Sequence, residues 1–142
     1  MYRQHLEELA KEYNIQLSLI PETYFGGIKH MALFRFPPKR IEIFDWNEDQ
    51  LGYVAGLHEF GHMAHGHADD FQESYVKRIL EAECEAWQWA LDNLREPLKP
   101  ETVKRYFKDP DTGLRSYIRD YGTHPKAEQL LAAVTSGAIP SN

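Results

Sequence analysis

The chain has 142 residues, 42% of them hydrophobic and 13% aromatic, enough to bury one substantial core and unlike a disordered segment. A net charge of −6 argues against nonspecific attraction to nucleic acid or an anionic membrane. No apolar run approaches the roughly 18–20 residues that span a bilayer, and the one cysteine, Cys84, excludes an intrachain disulfide.

"YRQHLEELAKEYN" places Leu6, Leu9, Ala10 and Tyr13 at helical spacing, so the pattern predicts an amphipathic helix over 2–13. Apolar and polar residues then alternate over Ile15, Leu17 and Leu19, which is strand periodicity, and Pro21 ends it. Gly26-Gly27 marks a turn into a strand from Ile28 to Phe34, and Pro37-Pro38 forces a connection before Ile41, Ile43 and Trp46 alternate as a third strand. These three are expected to form a small antiparallel sheet. Beyond Trp46 the period becomes helical. Asn47 or Asp45 is expected to cap a helix whose first turn carries Glu48 and Asp49, which suit the positive end of its dipole. That helix runs through Leu51, Val54, Ala55 and Leu57 until Gly66 weakens it.

A second long helix is expected from Ser74 to Leu94, stopped before Pro97. "PETVKRYF" starts another with Pro100 at its first position, and short helices follow at Leu114–Tyr121 and Pro125–Val134. The fold class is therefore α+β: an N-terminal helix, a small sheet, then a mainly helical remainder. The chain reads as a single domain over 1–142, with no internal repeat or linker.

Within "AGLHEFGHMAHGHA", residues 55–68, stand four of the seven histidines. His58, Glu59 and His62 spell H-E-x-x-H, a zinc-protease signature. Residues i and i+4 share a helix face with Cβ atoms about 5–6 Å apart, so two imidazoles can converge on one zinc at about 2.0–2.1 Å. Glu59, rotated about 100° from His58, is too far round to be a ligand. It remains close enough to act as general base on a water activated by the metal. Gly61 leaves clearance for backbone and substrate.

Two histidines leave a catalytic zinc one protein ligand short. In "RILEAECEAWQWAL", Glu81 and Glu85 line up with Gln88 and Asp92 on a polar stripe, whereas Glu83 lies among Ile79, Ala82, Ala86, Trp87 and Ala90. A carboxylate on an apolar face is costly unless it is paired or metal-bound, so Glu83 is the expected third ligand, with Glu85 and then Glu81 as alternatives. The flanking alanines suit a close approach of the two helices. Iron, manganese or cobalt would also fit a histidine-carboxylate site.

"HEFGHMAHGH" resembles the HE-x-GH helix of the ImmA/IrrE metallopeptidases. "ECEAWQWAL" is similar to that family's downstream Glu-x-x-Ala-x-x-aromatic-Ala segment, with Glu83, Ala86, Trp89 and Ala90 in register. The resemblance covers roughly 1–95, helix-then-strands order included. Residues 96–142 form a helical C-terminal extension outside it, and "LDNLREPLKP" replaces the family's leucine-rich ending. The resemblance implies zinc ligation by His58, His62 and Glu83, with Glu59 as catalytic base. It also implies a cytoplasmic endopeptidase whose substrate is a protein, in several relatives a helix-turn-helix repressor, in phage or mobile-element contexts.

The competing expectation is a zinc-stabilised interaction module without turnover. Glu59 favours the enzyme, because a binding-only site has no use for a carboxylate there. Tyr75, His65, His67 and His124 are candidates for the donor that shares the oxyanion charge. The segment Lys29–Phe34 is either a sheet edge to which an extended peptide adds or plain core sheet, and the pattern leaves both readings open. Asp69 and Asp70 are expected to cap the next helix. Trp46, Trp87 and Trp89 are read as packing residues, and Cys84 as a buried thiol.

Overall fold

The computed structural model describes residues 1–21, 32–35, 39–66 and 79–136. Residue contacts fall into two compact units, Met1–Phe60 and Gly61–Asn142, and the boundary lies inside one uninterrupted helix.

In the first unit, helix α1 (Tyr2–Glu12) buries Tyr2, His5, Leu6, Leu9 and Ala10, the single stripe that its periodicity predicts. Asn14 takes a left-handed conformation (φ 54°), which asparagine tolerates, and turns the chain into strand β1 (Gln16–Ile20). Strands β2 (Ala32–Arg35) and β3 (Arg40–Phe44) complete a three-stranded sheet in the order β1-β3-β2. The sheet is mixed and not antiparallel as expected: β2 runs antiparallel to β3, but β1 pairs parallel to it, Leu17 opposite Ile41 and Leu19 opposite Ile43. The reason lies in burial. Ile41 and Ile43 are fully covered and Phe44 nearly so, which makes β3 the strand that gains most from the central place. Local alternation records which faces are apolar, not which neighbour a strand selects.

Helix α2 (Gln50–Ala64) is capped by Asp49, whose Oδ1 accepts the Gly52 N–H at 2.9 Å. The expected caps, Asn47 and Asp45, lie too early, because Asp45 and Glu48 both have positive φ (55° and 58°) and the chain is still turning there. Glu48 therefore lies outside the first turn of α2. Its carboxylate instead accepts the Arg3 N–H at 2.9 Å and faces the terminal ammonium at 3.4 Å, serving the start of α1. The core of this unit gathers Leu6, Ile41, Ile43, Val54 and Leu57, all at 0% exposure. Beside it, buried His5 bonds the Tyr53 hydroxyl at 2.7 Å, and Tyr2 stacks on the Tyr53 ring.

The second unit holds the end of α2, then α3 (Ile79–Asp92), α4 (Pro100–Val103), a π-helical turn (Lys104–Lys108), α5 (Gly113–Tyr121) and α6 (Pro125–Thr135). Pro100 occupies the first turn of α4, as its lack of an N–H favours. The expected helix through "PETVKRYF" widens into the π turn, in which the adjacent rings of Tyr106 and Phe107 both pack on Trp87, at 5.1 and 5.2 Å. Phe107, Leu98, Leu114 and Ala127 of this unit are fully buried. No helix among the described residues is long and apolar enough to cross a membrane.

Candidate metal centre

Helix α2 brings His58 and His62 to one face, one turn apart. Helix α3 supplies Glu83, whose position among alanines leaves it 1% exposed. His62 Nε2 and Glu83 Oε2 are 2.5 Å apart. One ligand atom from each of His58, His62 and Glu83 lies within 4.8 Å of the others, the one such group among the described residues. Neither Glu81 nor Glu85 belongs to it.

The fit to a metal can be judged from these distances. Two ligands at about 2.0–2.1 Å from a tetrahedral zinc lie roughly 3.3–3.4 Å apart. The His62–Glu83 pair is closer than that and no pair exceeds 4.8 Å, so side-chain shifts of about 1 Å would admit an ion. The donor set, two neutral imidazoles and one carboxylate, is the histidine-carboxylate set of catalytic zinc sites. A His/His/Glu group of this kind can bind a metal ion. Without one, the contact with His62 helps to offset the loss of water at a carboxylate that is 1% exposed.

The close meeting of α2 with α3 has a local cause. A Cβ on Gly61 would lie 2.5 Å from the Ala86 carbonyl oxygen and 2.9 Å from its Cα. The clearance that glycine leaves is thus filled by the α3 backbone; sequence reasoning assigned it to backbone and substrate alike. Ala82, Ala86 and Ala90 are all buried, as expected for helices in close approach.

Glu59 follows His58 on the same helix, with Oε1 3.6 Å from His58 Nδ1 and a side chain 15% exposed, so a carboxylate stands beside the group without joining it. Glu81 and Glu85 lie on the flank of α3 and face Lys126 of α6, at 3.3 and 3.7 Å. Sequence reasoning saw the polar stripe but missed this cation, because nothing local links positions 45 residues apart. His65 has Nδ1 3.8 Å from Glu85 Oε2 and is largely exposed. His124, one of the oxyanion candidates, starts α6: its Nδ1 accepts the Lys126 N–H at 3.1 Å and caps that helix. A histidine followed directly by proline at a helix start was the signal for that.

Tyr75, His67, Asp69, Asp70 and positions 29–31 lie outside the described residues. The described part of the Lys29–Phe34 segment belongs to β2, which is an edge of its sheet. Trp46 and Trp87 are buried as packing residues, whereas Trp89 is half-buried and lines a cleft. Cys84 is buried, and its thiol is pushed up to about 11, chiefly by burial and next by the charge of Glu83. It is neutral at physiological pH. Neither a protein-family model, a curated protein nor a solved structure matches this chain.

Proposed function

We propose that this protein is a zinc-dependent endopeptidase of the ImmA/IrrE type, hydrolysing a peptide bond in a specific cytosolic protein. The observation that carries the proposal is the convergence of His58, His62 and Glu83 within 4.8 Å, with Glu59 next to the first histidine on the same helix. A structural zinc site is closed by four protein ligands, whereas three leave a position open. When bound, zinc supplies a Lewis acid and brings the pKa of a water down toward 7.

The protein's own residues divide the remaining work. His58 and His62 stay neutral to ligate. Glu83, held by the α3 backbone against Gly61, contributes the charge that makes the group selective for a divalent cation. Glu59, ionised, accepts a proton from the attacking water and returns it to the departing amine. Burial of Glu83 and His62, at 1% and 8% exposure, lowers the local dielectric and strengthens these charge interactions. The substrate class that the resemblance suggests is a helix-turn-helix repressor of a phage or mobile element.

Glu59→Gln tests the proposal, because it preserves shape while removing the proton acceptor. Zinc content by elemental analysis should equal that of the parent chain, and hydrolysis of a candidate repressor should fall by about 10²–10⁴-fold. A Glu59→Gln protein that cuts at the parent rate refutes the base assignment. A parent chain that takes up no zinc refutes the metal centre.

A further inference from the structure

Trp87 stands one turn beyond Glu83 on α3, about 40° round the same face, and is 2% exposed. Two rings of the π turn hold it: Tyr106 at 5.1 Å, tilted by 41°, and Phe107 at 5.2 Å, edge-on at 67°. These two residues are adjacent in sequence. On an α-helix their side chains would point about 100° apart, and neighbours at i and i+1 do not face one partner. The π turn brings both to the same indole. In it the Asp109 N–H reaches back five residues to the Lys104 carbonyl, and the widened turn narrows the angle between successive side chains. Such turns are rare and recur at functional sites.

The start of α5 grips the same backbone from the other side. Thr112 Oγ1 donates to the Arg105 carbonyl, and Arg115 Nε donates to the Phe107 carbonyl at 2.8 Å. Gly113, at φ 55°, lies so close to the residue between them that a Cβ there would stand 2.5 Å from Tyr106 Cα. Both rings therefore project from a backbone held at three consecutive residues.

The contact between Gly61 and the Ala86 backbone sets how near α3 comes to α2, but a single close approach leaves a helix free to turn about its own axis. That rotation matters for Glu83. Its carboxylate lies about 5–6 Å from the axis of α3, so a turn of about 10° displaces it by roughly 1 Å. The metal centre already asks about that much of its side chains to take an ion.

We propose that the π turn is a clamp on Trp87 that fixes the rotation of α3 and so aims Glu83 at His62. Tyr106 and Phe107 are then positioning residues of the metal centre, and the C-terminal extension, which lies outside the family resemblance, supports the site. With the clamp in place, His62 Nε2 and Glu83 Oε2 are 2.5 Å apart. The proposal rests on the metal-centre reading and adds to it the group that orients the third ligand.

The test compares three variants of the full chain. Tyr106→Leu removes one ring and Tyr106→Phe keeps it. Val134→Ala is a buried change two turns beyond Lys126, the residue of α6 that meets Glu81 and Glu85. Urea unfolding without metal gives the stability each variant loses. Two further readouts separate positioning from plain stability. One is zinc affinity by competition with a chromophoric chelator; the other is the rate at which iodoacetamide labels Cys84, the buried neighbour of Glu83, in the native chain. Tyr106→Leu should bind zinc about tenfold more weakly, the lower end for losing a group that supports a ligand. It should also label Cys84 several-fold faster than its lost stability accounts for. Tyr106→Phe should match the parent in both, and Val134→Ala should keep the parent's zinc affinity and label only as fast as its stability dictates. Parent-like affinity and labelling in Tyr106→Leu, or an equal loss of affinity in Val134→Ala, would overturn the clamp. A parent chain that takes up no zinc refutes the metal centre instead, and Cys84 labelling then decides the clamp by itself.

Discussion

Gly61→Ala separates two opposed contributions on the helix that carries the histidines. Helix propensity alone favours alanine by about 1 kcal/mol. The tertiary structure opposes it, because a Cβ there would meet the Ala86 carbonyl oxygen at 2.5 Å, its Cα at 2.9 Å and its carbonyl carbon at 3.0 Å. Ordinary contact begins near 3.4 Å, so α2 and α3 must part by about 0.9 Å. All three atoms are backbone and no rotamer change relieves them, which puts the overpacking cost at the upper end of the usual range, about 3 kcal/mol. The net expectation is destabilisation by about 2 kcal/mol. Urea unfolding of the metal-free chain reads the difference. A Gly61→Ala chain about 1 kcal/mol more stable than the parent would refute the close contact and the role given to glycine.

Glu83→Ala should lower zinc affinity by roughly 100-fold or more, whereas Glu81→Ala and Glu85→Ala, which lose only partly exposed pairs with Lys126, should change it less than about threefold; equal losses in titration calorimetry would remove Glu83 as ligand. Burial raises the Glu48 pKa, but hydrogen bonds from Arg3 and Tyr2 and the terminal ammonium outweigh it, so the folded value lies below the ordinary 4.5. The stability this contributes is present above 4.5 and is lost as pH falls through the lowered value; Glu48→Gln should flatten that part of an acid unfolding curve, and identical curve shapes would contradict the cap. Cys84, raised from 9.0 to about 11, should carry roughly a hundredfold less thiolate than a free cysteine near pH 8. Iodoacetamide should therefore label it only on unfolding, and rapid native-state labelling would show that the thiol is not held in this environment. Because this shift is upward, unlike that of Glu48, its contribution to stability is complete below 9.0 and is lost as pH rises through about 11.

Whatever depends on spacing along one helix or strand is legible before any packing is known. The stripe of Leu6, Leu9 and Ala10 gave α1, the i, i+4 step brought His58 and His62 to one face, and the burial of Glu83 followed from its alanine neighbours. These features are legible because helical geometry converts sequence separation directly into angle. Partner choice was not legible in the same way. Alternating residues marked three strands, but only packing decided that β3 sits between the others and pairs parallel with β1. The cap of α2 fell on Asp49 because the chain was still turning at Asp45 and Glu48, and Glu48 went to the start of α1 instead. Lys126 reached Glu81 and Glu85, and the Ala86 backbone filled the notch at Gly61, through contacts between residues far apart in the chain. Such contacts form where the summed burial of several elements is greatest. No local pattern encodes that sum, so the histidine face was written in the sequence while its fit against α3 was decided by the fold.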